Sequence, residues 1–274
     1  MGFFNFDKPG LGVNPDAPKK KGVFLYFELL FRRFGSIIKT NMLYFIISLP
    51  MIAICLWGGM YFVNWLSNIF QAISSSFTDP VFKTQASALL AFLFLVFIGS
   101  GPASASLAYF YRTILREGHV SVFSDFFTQL KKNFGQGLAV GIINTFLIFI
   151  TLFCTFFYWW QYVITQRLIW FAAMLVVGIF CLIMVMSGFY IYQLMITFEN
   201  TITELYKNAI ILALIKAPQN IGLILIIAII SYLLFFVLHP IASLLLAFLG
   251  LVTVLRFAVD LYTARVIEKN ILKK

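Results

Sequence analysis

Six stretches of this sequence, at roughly 42–63, 87–111, 138–160, 168–195, 220–238 and 241–262, run for about twenty residues almost without a polar side chain. That length spans the hydrocarbon core of a bilayer at the rise of an α-helix. In hydrocarbon an α-helix satisfies every backbone group within its own segment. The pattern predicts an all-α, polytopic membrane protein with a single integral domain over 1–274. With 62% hydrophobic and 11% charged residues, the chain cannot bury its apolar surface in one aqueous core. Cys55, Cys154 and Cys181 lie in apolar runs without C-x-x-C spacing and read as small packing residues.

The net charge of +10 does not call for nucleic acid, because its distribution follows the membrane. Eighteen of the twenty Lys and Arg fall on one side of the predicted spans, leaving Lys83 and Arg167 on the other. The positive-inside rule then predicts both termini cytoplasmic, residues 1–22 forming a cytoplasmic tail. That tail has no basic start followed by an apolar core and a small-residue cleavage site, so it does not read as a signal peptide. Trp57, Trp65, Trp159, Trp160 and Trp170 fall near the predicted outer boundary, as an aromatic belt would.

Paired, the spans suggest a repeat. "LLFRRFGSIIKTNMLYF", "FFTQLKKNFGQGLAV" and "ILALIKAPQNIGLIL" precede the first, third and fifth spans, each with a Lys and then Asn41, Asn133 or Asn220. The reading is three hairpins of one orientation, each preceded by a cytoplasmic interfacial amphipathic helix whose Lys snorkels to phosphates.

Within the second span, "GSGPASASLAYFYR" sets Gly99, Gly101 and Pro102 near what the hydropathy gives as mid-depth. Pro102 cannot donate to the carbonyl of Ile98, so that carbonyl needs another partner, for which Ser100, Ser104 and Ser106 are at hand. Two readings follow. Small side chains allow close helix packing around a kink, or Gly99, Gly101, Pro102 and Ser104 form a hinge or substrate-lining break.

"GPASASLAYFYR", "DFFTQLKKNF" and the N-terminal "FNFDKPGLGVNPDAPKKKGVFLYFELLFRRF" resemble the YesL-like family of bacterial membrane proteins. The resemblance runs along the whole chain and is strongest in those three stretches. It implies a bacterial cytoplasmic membrane, association with carbohydrate ABC importers, and no established activity. The family's Gly-Pro-Ala stretch lies nearer the first span in some members, so roughly 64–98 is a departure.

No Walker sequence, phosphate-cradling glycine loop, H-E-x-x-H pair or permease-type ATPase-docking loop is present. His119 and His239 lack partners at ligand spacing, and Asp79 is the one acid expected outside. An enzyme, a cofactor and a metal are therefore not expected. Arg256 and Asp260, at i and i+4, share a face of the sixth span and read as an intramembrane ion pair or a polar lining. Arg112 reads as an anchor to lipid phosphates. Glu28, Glu199 and Glu204 fall on amphipathic, solvated stretches. In "SVFSDFFTQLKKNFGQ", Phe123, Phe126, Phe127, Leu130 and Phe134 share a helical face beside Lys131 and Lys132. That face is either an interfacial helix or a docking surface. The expected partners are the lipid bilayer and a carbohydrate ABC permease or another membrane or cytoplasmic protein. The expected function is an accessory or regulatory subunit of carbohydrate import, with a self-sufficient transporter or channel as the alternative.

Overall fold

The computed structural model describes residues 22–70, 79–116, 118 and 121–271; the first 21 residues and His119 lie outside them. The described residues form α-helices and no strands. Helix α1 (Val23–Arg32) turns into α2 (Phe34–Phe70), α5 (Val122–Lys132) into α6 (Phe134–Thr165), and α8 (Ile202–Ile215) into α9 (Ala217–Phe236). One residue makes each elbow, and the three share a conformation. Arg33 sits at φ −116°, ψ 19°, Asn133 at φ −102°, ψ 13°, and Lys216 at φ −110°, ψ 22°. Each donates its N–H to the carbonyl four residues back and accepts from the N–H four residues on, at Ile37, Gly137 and Asn220. The ladder thus continues while ψ turns by about 60° from the helical value, which swings the second axis away from the first.

The expected register of the repeat holds for Asn133 alone. Asn41 lies inside α2 and Asn220 inside α9, both buried. The residues that correspond are Arg33, Asn133 and Lys216.

Each long helix returns through a second helix or helix pair. These are α3 (Pro80–Phe97) with α4 (Pro102–Leu115), then α7 (Leu168–Met195), then α10 (Pro240–Leu246) with α11 (Val252–Asn270). Asp79 caps α3 by accepting the Val81 N–H at 3.1 Å, with Pro80 in the first turn. Among the described residues, α2, α3, α6, α7 and α9 are long and apolar enough to cross a membrane.

Two spans differ from the sequence expectation. The second begins at Pro80 rather than near 87, and its first helix ends at Phe97 after 18 residues, about 27 Å. Gly99 to Pro102 therefore lies between two helices rather than inside one, and α4 continues as a separate, mostly buried helix. The sixth expected span is not one apolar helix. A π-helical turn over Ala247–Leu251 joins α10 to α11, and Gly250 departs from helical angles. Helix α11 packs against α1, α2, α3, α4 and α7 and buries 12 of its 19 residues. Protein surrounds it, which is why it tolerates Arg256 and Asp260.

Candidate functional site

The chain leaves the helix from Gly99 to Gly101, between α3 and α4. Gly99 (φ 83°) and Gly101 (φ 73°) occupy the left-handed region that favours glycine. A Cβ at Gly101 would stand 2.9 Å from the carbonyl oxygen of Gly137, and one at Gly141 would stand 3.0 Å from the Cα of Gly101. The start of α4 and the first turns of α6 are thus in backbone contact, an approach that small residues alone permit. Pro102 opens α4, where its missing N–H leaves no bond unmade.

The break strips the last carbonyls of α3 of their helical partners. Arg256 reaches across from α11 and donates from Nη1 to the carbonyls of Val96 at 3.0 Å and Leu95 at 3.5 Å. Its cation meets the negative end of the α3 dipole. Asp260 Oδ2 accepts from Arg256 Nε at 3.2 Å, and Gln193 Nε2 donates to Asp260 Oδ1 at 3.3 Å and to the Ala108 carbonyl. Arg256 and Asp260 are both 0% exposed, and the Tyr192 ring lies 5.5 Å from the guanidinium carbon. Among the described residues, Arg256 Nη2 and Gln193 Oε1 are the atoms of this cluster left without a hydrogen-bond partner.

The donors exposed by the break are also met. The Gly101 N–H donates to the Tyr192 hydroxyl at 3.2 Å, and the Ser100 N–H donates to Ser104 Oγ at 2.7 Å. Tyr44 contacts Ser104 Oγ and the Leu95 carbonyl, each at 3.3 Å, and Ser48 pairs with Ser100. Ser106 bonds back to the Pro102 carbonyl. The serines serve the break's N–H groups and hydroxyl contacts, whereas the freed carbonyls go to Arg256 and Tyr44. Tyr44, Tyr192 and Gln193 were not singled out in the sequence. The available signal was Gln193, the one amide side chain in the 168–195 run.

The second candidate region is α5. Phe123, Phe127 and Phe134 are exposed, as are Lys131 and Lys132. Phe126, expected on the same docking face, is 1% exposed and packs into the core. The aromatic arc is wide enough that the bundle takes one edge of it and leaves the rest outside. Arg112 also differs from expectation, since its Nη1 donates to Thr197 Oγ1 within the protein. Glu204 closes a capping box on Thr201 at the start of α8. Those hydrogen bonds hold its carboxyl below the usual carboxylate range. His239 lies in the turn ahead of α10. Among the described residues, no group of three His, Cys, Asp or Glu side chains could hold a metal ion.

Residues 37–155 match a protein family described as a protein of unknown function, DUF624. The match runs from α2 into α6, so it includes the broken helix and excludes Arg256. No curated protein and no solved structure matches the chain.

Proposed function

We propose that the protein is an accessory or regulatory subunit of the bacterial cell membrane, with both termini cytoplasmic, working beside a carbohydrate ABC importer and catalysing no reaction of its own. The observation that carries this reading is how the polar and aromatic groups divide. At the broken helix, Arg256, Asp260, Gln193, Tyr192 and Ser104 are turned on one another and on the backbone. On α5, by contrast, Phe123, Phe127, Lys131 and Lys132 face outward. Exposed aromatic anchors beside cations suit capture of a partner protein. The YesL-like resemblance supplies the sugar importer as that partner.

Affinity purification of the full chain in mild detergent tests the reading. A carbohydrate ABC permease subunit should accompany the wild type and be lost from Phe123→Ala with Phe127→Ala, at unchanged thermal stability. A self-sufficient transporter is the second reading, favoured by a buried ion pair beside a discontinuous helix. Flux of a sugar or ion into liposomes holding this protein alone would put that reading in its place.

A further inference from the structure

Helices α2, α3, α6 and α7 enclose a cavity of about 190 Å³ lined by carbon and sulfur, with Cys55, Phe94, Ile98, Phe149, Cys181 and Val185 among its walls. A wider hollow of about 520 Å³ adjoins it, sharing Phe62 and Phe149 and reaching the surface past Tyr61, Trp65 and Phe153. Tyr61 and Phe153 are exposed, whereas Cys55 and Cys181 are buried. Together they are a furrow whose outer and inner parts meet at the Phe62 and Phe149 rings. Between α2 and α6 the contact is made by rings: Trp65 lies 4.9 Å from Phe153, and Phe62 lies 5.5 Å from Phe156. The Phe149 ring is seated over Gly58, where a Cβ would already touch it at 3.4 Å.

This furrow lies within the apolar lengths of four of the candidate crossings. An apolar cavity of this size stays dry, because water there would have no polar partners. Left empty, its lining forfeits dispersion contacts. A hydrocarbon chain restores them and is the solvent on the open side. At the mouth, Trp65 and Tyr61 offer the amphipathic rings that settle where headgroups meet hydrocarbon.

We propose that the furrow is a binding site for one acyl chain of a membrane lipid, which enters between α2 and α6 beside Trp65 and ends against Ile98, just ahead of the Gly99–Gly101 break. The ligand is the chain, not a headgroup, since no charged side chain lines either hollow. The site is independent of the accessory reading and makes no use of α5.

Photo-crosslinking tests it on the unmodified full chain. The protein is reconstituted into phosphatidylethanolamine–phosphatidylglycerol vesicles containing a lipid with a mid-chain diazirine, and adducts are mapped by peptide mass spectrometry. Adducts on interior walls such as Ile98, Phe149 or Val185 are expected. Adducts confined to outward-facing residues such as Ile54 and Ile142 would overturn the proposal, because those touch bulk lipid in any case. In a second arm, Gly58→Leu pushes a side chain into the Phe149 doorway. It should abolish the interior adducts and the tightly held lipid seen by native mass spectrometry, with the outward adducts unchanged. Interior adducts retained at wild-type yield in a folded Gly58→Leu protein would also overturn it. So would a wild-type interior occupied by detergent that added lipid fails to displace.

Discussion

The chain interrupts two of its returning helices, between α3 and α4 and again between α10 and α11, and it closes the two gaps with different chemistry. The first is a full break: two glycines at positive φ carry the chain out of the helix, and a buried arginine covers the stranded carbonyls. The second is a π-helical kink at Gly250 that disturbs fewer groups. There Asn41 accepts the Thr253 N–H at 3.3 Å and Thr253 Oγ1 donates to the Gly250 carbonyl at 3.0 Å, while just past the kink Tyr111 and Tyr26 add bonds to the Thr253 and Val254 carbonyls in the first turn of α11. Neutral bonds suffice where the helix kinks without ending. Where a helix ends outright inside the protein, its carbonyls and dipole draw a cation, and the cation requires Asp260 in turn.

The largest expected effect comes from breaking the charged closure. Arg256→Met leaves Asp260 buried without its counter-ion and the Leu95 and Val96 carbonyls bare, and should cost about 3–5 kcal/mol. Thermal unfolding in detergent reads this as loss of most of the folded protein. Adding Asp260→Leu should recover part of the loss, since the pair then leaves no lone charge behind. A double variant as unstable as the single one would show that the carbonyl contacts, not the ion pair, carry the cost. Next is the backbone itself. Gly101→Ala forces a Cβ into a left-handed residue against the Gly137 carbonyl and should cost about 2 kcal/mol in the same assay. A variant as stable as wild type would refute the close α4–α6 contact.

At the kink the expected effect is smaller. Tyr111→Phe removes one neutral hydrogen bond to Thr253 while keeping the ring, and should cost about 1 kcal/mol. A loss equal to that of Arg256→Met would erase the distinction between the two gaps. Smallest is the capping box on α8, outside both. Glu204 is held below its unfolded value by bonds to Thr201, so its contribution is present above that unfolded value and fades as pH falls through the lowered one. Protection of the Thr201 amide against hydrogen exchange, relative to an unstructured peptide at the same pH, should therefore fall below about pH 4 in wild type. In Glu204→Gln the same amide should show no such step.

The apolar runs made the membrane class and most of the crossings legible, because length and hydropathy are local properties. The position of the break was not. Hydropathy is blind to whether Pro80 to Ser87 starts the span or precedes it, and that shift moves Gly99 from the middle of a helix to its end. Arg256 and Asp260 were visible as a pair at i, i+4 spacing, but the guanidinium's second task depends on carbonyls 160 positions away. Carbonyls carry no side-chain signature. Phe126 differs for a related reason: spacing defines an arc of α5, while the neighbours of α5 decide which edge of that arc is covered.

The central place of α11 has a consequence for how the protein is made. Each elbow and its hairpin are local in sequence, so they can enter the bilayer one after another as the ribosome delivers them. The helix that completes the interior is nevertheless the last of the described helices to emerge. Tyr26 must wait for Val254, 228 positions later, and Asn41 for Thr253, 212 positions later. Until then the end of α3 has no arginine to meet it. Insertion is therefore stepwise, whereas closure of the interior waits for α11, and a nascent chain stopped before Val252 holds its hairpins in the membrane with both gaps still open.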